Sequence, residues 1–236
     1  MQICGLQKLS LLDFPEKLSA IIFTGGCNLR CPYCHNASLV LRHEACPLIP
    51  EDEVLAFLAA RVGKLDGVCI SGGEPLLQPD LEGFIIKVRE LGFLVKLDTN
   101  GSLPRRLAAL LDKRLLDYVA MDVKSSPEGY GKAIGIAQHS FAPFLESIEL
   151  LKNGSTPYEF RTTLVRELHS QEELRAIAEL LRGAKRFFLQ NYKNSGDIVG
   201  INADGADPQF HGFSQAELEG FRDIAQQYID TVQIRG

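Results

Sequence analysis

The chain has 236 residues, 25 basic and 30 acidic, for a formal charge of −5, with 45% apolar and 23% charged residues. That composition excludes a disordered or fibrous chain, and the acidic balance argues against the cationic surface of a nucleic-acid-binding domain. No apolar run reaches the ~18 residues of a membrane span. Met1 to Pro15 lacks the basic-then-apolar order of a secretory leader. The expectation is one cytoplasmic domain over residues 1–236, with no membrane or nucleic-acid partner.

In chain order, the apolar run Leu18–Phe23 reads as a strand ending at Thr24-Gly25-Gly26. After Pro50 and an acidic first turn, Val54, Leu55, Phe57, Leu58 and Val62 recur at helical spacing. Gly67–Ser71 is a second strand, closed by a Gly-Gly pair. Leu81, Phe84, Ile85, Val88 and Leu91 form a helix that stops at Gly92, and Leu94–Thr99 a third strand. Leu107, Leu110 and Leu111 follow Pro104 as a helix, and Tyr118–Val123 is a fourth strand. Phe144, Leu145, Ile148 and Leu151 form a helix ending at Asn153-Gly154, before a fifth strand, Tyr158–Val165. Ser170 and Glu173 make a capping box for Leu174, Ile177 and Leu181. Arg186–Gln190 is a sixth strand, and Ser214 with Glu217 makes another box for Leu218, Phe221, Ala225 and Tyr228.

Strands alternating with helices predict an α/β fold with parallel strands and right-handed crossovers. Six units are too few for a closed eight-stranded barrel. The specific expectation is a partial, open TIM-like (βα)6 barrel, with an open doubly wound sheet as the alternative. The polar motifs come after strand ends, the face where active sites of parallel α/β folds gather.

Three of the six cysteines, Cys27, Cys31 and Cys34, fall within eight residues. Cys4 and Cys46 are scattered, and Cys69, in Val68-Cys69-Ile70, reads as a small buried hydrophobe. Three thiolates on one short loop can bind three corners of a cubane iron–sulfur cluster, which normally takes four cysteines. One iron then keeps an open position, the mark of a metal that does chemistry. Rival readings explain less. A c-type haem site on Cys31-x-x-Cys34-His35 needs an exported chain and leaves Cys27 idle. A redox pair in Cys31-Pro32-Tyr33-Cys34 also ignores Cys27. A zinc knuckle must turn adjacent Cys34 and His35 onto one tetrahedral ion.

Other polar motifs close the strands. In Ser71-Gly72-Gly73-Glu74-Pro75 two glycines let the backbone approach a ligand, and carbonyls with the Glu74 carboxylate can hold an ammonium; the plain alternative is a turn. Asp98-Thr99-Asn100-Gly101 and Met121-Asp122-Val123-Lys124 end the third and fourth strands. Two carboxylates and a hydroxyl can bind a hard cation through oxygen; otherwise Asn-Gly is a turn and Asp122 with Lys124 a surface ion pair. Arg161, inside an apolar strand, needs a partner or a ligand. His43, His139, His169 and His211 stand alone in polar loops, and Arg105-Arg106 and Lys113-Arg114 read as solvated helix faces.

Cys27-x3-Cys31-x2-Cys34, with Tyr33 before the last cysteine, resembles the signature of the radical S-adenosylmethionine superfamily. The string Cys-Pro-Tyr-Cys-His-Asn is similar to glycyl-radical-enzyme activating proteins. Ser10-Leu11-Leu12-Asp13-Phe14-Pro15, with Ile21-Ile22-Phe23-Thr24, resembles the branch that activates anaerobic ribonucleoside-triphosphate reductase, to which pyruvate formate-lyase activating enzymes are close. The resemblance runs from about Ser10 to Tyr192. It implies an anaerobic oxidoreductase with a [4Fe-4S] cluster on Cys27, Cys31 and Cys34, reduced by a low-potential donor such as flavodoxin or ferredoxin. That cluster would cleave S-adenosylmethionine to methionine and a 5′-deoxyadenosyl radical, which would take hydrogen from a glycine of a partner resembling anaerobic ribonucleotide reductase.

The resemblance also implies cofactor contacts from Tyr33, His35, Gly72, Gly73, Glu74, Asn100, Asp122, Lys124 and Arg161. It implies a monovalent cation on Asp98, Thr99 and Asp122, with the Ala120 carbonyl as a further candidate. Gln190-Asn191-Tyr192 stands where pyruvate formate-lyase activases carry a histidine, leaving Tyr192 or Asn191 for the adenosine. No auxiliary cysteine pair suggests a second cluster. The residues beyond the sixth unit read mostly as one helix, so a minimal barrel suits a large substrate that covers its mouth. The competing functions are a pyruvate formate-lyase-type activating enzyme, a radical enzyme acting on a small molecule such as a deazapurine-forming synthase, and a zinc-stabilised binding module without catalysis.

Overall fold

The structure, a computed structural model, describes residues 1–194, 198–200 and 210–235. These fall into two compact units. One comprises Met1–Asn28, Ser38–Ala120 and Ser155–Pro157; the other comprises Leu29–Ala37, Met121–Gly154 and the described part of Tyr158–Gly236. The boundary falls inside the cysteine loop, between Asn28 and Leu29.

The first unit opens with β1 (Ile3–Ser10) and β2 (Ser19–Thr24). The short α1 (Ala37–Leu41) crosses the boundary. After it come α2 (Glu51–Ala59), β3 (Gly67–Gly72), α3 (Leu81–Glu90), β4 (Leu94–Thr99), α4 (Pro104–Asp112) and the start of β5 (Tyr118–Asp122). β1 pairs antiparallel with β2. β2 and β3 run parallel from Ser19↔Gly67 to Thr24↔Gly72, as do β3 and β4 from Gly67↔Leu94 to Ile70↔Leu97. Ala20, Ile22, Val68, Ile70, Val95 and Leu97 are fully buried, so these strands read as continuous apolar runs. The helices bury Val54 and Leu58 from α2, Leu81, Phe84, Ile85 and Val88 from α3, and Leu107 and Leu110 from α4. Each such side chain contributes roughly 1.5–3 kcal/mol. Pro104 opens α4, and Glu51, Asp52 and Glu53 complement the dipole of α2.

The second unit continues β5 and adds α5 (Tyr130–Ile134), α6 (Ala142–Asn153), β6 (Tyr158–Leu164), α7 (Gln171–Leu180), β7 (Arg186–Asn191), α8 (Gln215–Ala225) and β8 (Thr231–Arg235). β6, β7 and β8 are parallel neighbours in chain order. Leu174, Ile177 and Ala178 of α7 and Leu218, Phe221 and Ala225 of α8 supply the buried helix faces. Glu159 of β6 is fully buried and receives both arms of Arg235 from β8, at 2.9 and 3.2 Å; that guanidinium also lies 3.4 Å from the centre of the Phe188 ring.

The fold is α/β with mostly parallel strands, and the six expected strands are β2 to β7, each within one residue of its expected ends. Two more strands are present. β1 breaks alternation with register shifts between Ile3 and Gly5 and between Gln7 and Ser10. β8 is a five-residue strand that buries Val232 between exposed Thr231 and Gln233. Of the two expected capping boxes, that of Ser214 and Glu217 is complete. Ser170 does accept from the Glu173 amide at 3.2 Å, but the Glu173 carboxylate turns away to the Ser126 amide at 2.7 Å and the Ser125 hydroxyl. No helix among the described residues is long and apolar enough to cross a membrane.

Candidate functional site

Parallel pairing puts the carboxyl ends of β2, β3 and β4 on one edge of the first unit: Thr24, Gly72 and Thr99. The loops leaving that edge are tied to one another. Glu74 N donates to Gly26 O at 2.8 Å and Gly73 N to Thr24 O at 2.9 Å. A Cβ at Gly73 would stand 2.0 Å from Gly26 O; at Gly72, where φ is +116°, it would stand 2.4 Å from Thr24 N and O. Only glycine fits at either position, so this pair lets the loop after β3 lie against the backbone that leads into Cys27.

Glu74 is fully buried. Its Oε1 accepts from Thr99 Oγ1 at 2.8 Å and Leu76 N at 3.1 Å, and its Oε2 accepts from Asn100 N at 2.7 Å. It therefore clamps the end of β4 to the loop after β3. Asn100 then directs its side-chain amide to Asn28 Oδ1 at 3.1 Å and to Cys27 Sγ at 3.8 Å. A donor on a cysteine sulfur is one of the levers that set a cluster's potential.

Lys96 lies two residues before Asp98 on the same strand, hence on the same face. It is 1% exposed and is ion-paired to Asp98 Oδ1, with its Nζ 3.8 Å from Cys69 Sγ. Ser71 Oγ donates to Asp98 Oδ2 at 3.1 Å. Cys69 is buried as expected, but against an ammonium. The sequence reading passes over Lys96, although the argument that singles out Arg161, a cation inside an apolar strand, applies to it equally. The scattered Cys4 and Cys46 also come together: burial and the neighbouring Cys46 push the Cys4 thiol up to about 11.

In the second unit the rest of the cysteine loop is pinned by its backbone. Arg30 N donates to Ile134 O at 2.9 Å, Gly200 N to Pro32 O at 2.8 Å, Val199 N to Cys34 O at 3.1 Å, and Cys34 N to Cys31 O at 3.0 Å. Gly135, at φ +68°, ends α5 where a Cβ would meet Arg30 O at 2.2 Å. Tyr33 is buried; burial, with the nearby Cys31 charge adding to it, pushes its phenol well up, and its hydroxyl has no hydrogen-bond partner among the described residues. His35 and Tyr192 stack with ring centres 5.1 Å apart, and burial pushes the His35 imidazole down. The Asn191 amide is engaged by the Phe213 backbone in both directions, at 2.9 Å each. That leaves Tyr192, of the two candidates, on the side of the cysteine loop.

Asp122, Lys124 and Arg161 form one cluster. Lys124 Nζ donates to Asp122 Oδ2 and Arg161 Nε to Oδ1, each at 2.8 Å. Burial alone would raise the Asp122 carboxyl, but Arg161 and Lys124 outweigh it and hold the group well below the usual carboxylate range. Burial alone would lower Lys124, and Asp122 reverses that, holding the ammonium well above its ordinary value. His169 does not stand in a polar loop: it is 3% exposed. Its Nδ1 accepts from Val165 N at 3.0 Å, so Nε2 carries the proton and donates to Lys124 O at 3.0 Å. Burial holds that imidazole low. His169 thus fixes the backbone that carries Lys124. Among the described residues no hydrogen bond ties His43, His139 or His211 to the site residues, and His211 pairs with Glu167 at 2.7 Å.

The residues fit an iron–sulfur cluster and a nucleotide by donor chemistry. None of the three loop thiols is tied up in a disulfide, and the buried Tyr33 hydroxyl is a polar atom that a bound group would satisfy. The donors expected for a monovalent cation fit less well. Both oxygens of Asp122 hold cationic side chains, Asp98 holds Lys96, and the Thr99 hydroxyl donates to Glu74 and accepts from Gly101 N at 3.1 Å.

Comparison with known proteins bears on the same residues. The model of the radical SAM superfamily matches residues 21–181. A provisional glycyl-radical enzyme activating enzyme of Methanocaldococcus jannaschii is 34% identical over 241 residues, 99% of this chain and 95% of that one. A 7-carboxy-7-deazaguanine synthase of Methanopyrus kandleri is 41% identical over 135 residues, 49% of this chain and 53% of its own. Among solved structures, Streptococcus suis SuiB superposes with a TM-score of 0.69 at 16% identity, over 92% of this chain and 48% of that one, which speaks for a shared fold. The cysteine loop, the Gly72-Gly73-Glu74 edge and a family match that spans both place this chain among the enzymes of the radical SAM superfamily.

Proposed function

We propose that the chain is an activating enzyme that cleaves S-adenosylmethionine reductively at a [4Fe-4S] cluster and installs a glycyl radical on a partner, an anaerobic ribonucleoside-triphosphate reductase-like enzyme. The observation that carries the reading is the near-complete alignment with a provisional glycyl-radical enzyme activating enzyme, 99% of this chain against 95% of that one. When bound, cluster and nucleotide together supply a one-electron cleavage that yields methionine and a 5′-deoxyadenosyl radical, the electron coming from a flavodoxin- or ferredoxin-like donor.

The chain's own residues take defined parts in this reading. Cys27, Cys31 and Cys34 hold three irons. Gly72 and Gly73 bring backbone carbonyls to the amino group of the nucleotide, and Glu74 holds that edge rigid from beneath. Asn100 orients the Cys27 sulfur. Asp122, Lys124 and Arg161 present a fixed cationic surface for carboxylate and ribose, with Lys124 held by His169. Tyr33, His35 and Tyr192 offer aromatic faces that exclude water.

The test is anaerobic incubation of the reconstituted protein with dithionite, S-adenosylmethionine and candidate partners, then electron paramagnetic resonance. A glycyl doublet on a partner is expected. Deoxyadenosine formed with no protein radical would favour a second reading, a radical enzyme acting on a small molecule, which the partial match to a deazaguanine synthase supports. Zinc bound without iron would sink both.

A further inference from the structure

We propose that the Lys96 ammonium is the resident cation of Asp98, so that the nucleotide site works without a monovalent metal ion. The inference rests on the reading of this edge as a site for S-adenosylmethionine.

Asp98 is the penultimate residue of β4 and is 8% exposed, so its charge needs a counter-charge close by. The strand supplies one. Lys96 is fully buried, and its Nζ sits on Asp98 Oδ1. Its position is not loose. β3 pairs Cys69 directly with Lys96, and the Cys69 sulfur lies 3.8 Å from the ammonium. Ser71, two residues along the same face, donates to the other oxygen of Asp98 at 3.1 Å. The carboxylate is thus held by a cation on one oxygen and a hydroxyl on the other.

A sodium or potassium ion bound at Asp98 would have to lie beside this ammonium, and like charges at that distance repel strongly in a poorly solvated site. Thr99, the other donor of this unit in the expected set, already accepts from Gly101 N at 3.1 Å while its hydroxyl is aimed at Glu74 Oε1 at 2.8 Å, which leaves its oxygen a single lone pair. In the second unit, Asp122 carries Lys124 and Arg161, one on each oxygen. Each carboxylate of the expected set therefore carries its own side-chain cation. A lysine two residues before the aspartate does here what a bound ion would otherwise do: it neutralises the carboxylate and fixes the end of the strand.

The experiment uses the anaerobically reconstituted holoenzyme in sodium, potassium or tetramethylammonium chloride at equal ionic strength. S-adenosylmethionine affinity is measured by equilibrium dialysis, and thermal midpoints are taken in the same buffers. For the parent protein, affinity is expected to agree within twofold across the three salts, with equal midpoints. Lys96→Met is expected to bind the nucleotide at least tenfold more weakly in tetramethylammonium than in sodium or potassium, and to gain thermal stability from the metal ions alone. Lys96→Gln, which keeps a donor but no charge, is expected to behave alike if Lys96→Met does not fold. A parent protein that needs sodium or potassium to bind the nucleotide overturns the inference and leaves the enzymatic reading standing. A parent with an intact cluster that ignores the nucleotide in every salt overturns the enzymatic reading itself. A Lys96 variant indifferent to the salt also overturns the inference.

Discussion

Glu74→Gln probes the clamp beneath the nucleotide edge. The parent carboxylate accepts, among its contacts, from Thr99 Oγ1 and Leu76 N on Oε1 and from Asn100 N on Oε2. Glutamine has one carbonyl oxygen. Placed at the Oε1 position it keeps two bonds, and its amide nitrogen then faces the Asn100 N–H, donor to donor. Turned the other way it keeps the Asn100 bond, meets Leu76 N donor to donor, and also forces the Thr99 hydroxyl to turn and accept. The first arrangement is the cheaper. Leaving one buried N–H without an acceptor costs about 1–3 kcal/mol, and the two kept bonds lose charge assistance, about 0.5–1 kcal/mol each. The sum is about 2–5 kcal/mol, which for a chain of this size lowers the melting temperature by roughly 5–15 °C. Because Asn100 also contacts Cys27 and Asn28, iron retained after anaerobic reconstitution should fall as well. Circular dichroism melts and iron analysis on parent, Glu74→Gln, Thr99→Val and the double variant measure the coupling. A variant that melts within about 2 °C of the parent, where the lost bonds imply several times that, and keeps its full iron would show that the clamp does not hold this edge.

Gly73→Ala should be more disruptive than its single methyl suggests, because the new Cβ starts 2.0 Å from Gly26 O; a loss of about 1–3 kcal/mol or more is expected. Gly83→Ala is its control: nothing lies within 4 Å of that Cβ, and in α3 the change should stabilise by about 0.5–1 kcal/mol. Urea titration of both variants checks the contrast, and equal effects would contradict it. His169 is held low by burial relative to 6.5. Its contribution is complete above that value and is lost as pH falls through the folded-state value, since the unfolded state then takes up the proton first. His169→Gln should therefore resist acidification from pH 7 to 5, while the parent weakens by at most about 1.4 kcal/mol per pH unit; parallel urea midpoints for the two would refute the assignment. Cys31→Ala should abolish deoxyadenosine formation, and Cys69→Ala should not, as measured by chromatography of the anaerobic reaction mixture. Equal losses would mean that the loop thiols are not the ligands.

The repeating units were legible because their signals are local. Apolar runs closed by Gly-Gly or Asn-Gly mark β3 and β4, and Pro50 and Pro104 mark helix starts. β1 was hidden because its shifted register gives no alternation, and β8 because five residues give too short a pattern. The site was legible where residues stand on one loop, as Cys27, Cys31 and Cys34 do. It was not legible where partners come from distant segments. Nothing in the sequence around Glu74 tells that Thr99 and Asn100 will consume its carboxylate. Nothing around His169 tells that its ring will reach the Lys124 carbonyl, 45 residues away. Glu173 carries the mark of a capping box and is diverted by two serines almost fifty positions upstream. Lys96 was readable in principle, since its spacing to Asp98 is local, but a lysine in a strand is easily taken for an edge residue.

The bond between Arg235 and Glu159 bears on how the chain acquires its shape during synthesis. The carboxylate on β6 leaves the ribosome some 76 residues before its guanidinium partner, at roughly 5–20 residues per second a wait of about 4–15 seconds. The second unit therefore cannot reach its final packing until β8 has emerged, whereas the strands and helices of the first can begin to settle while translation continues.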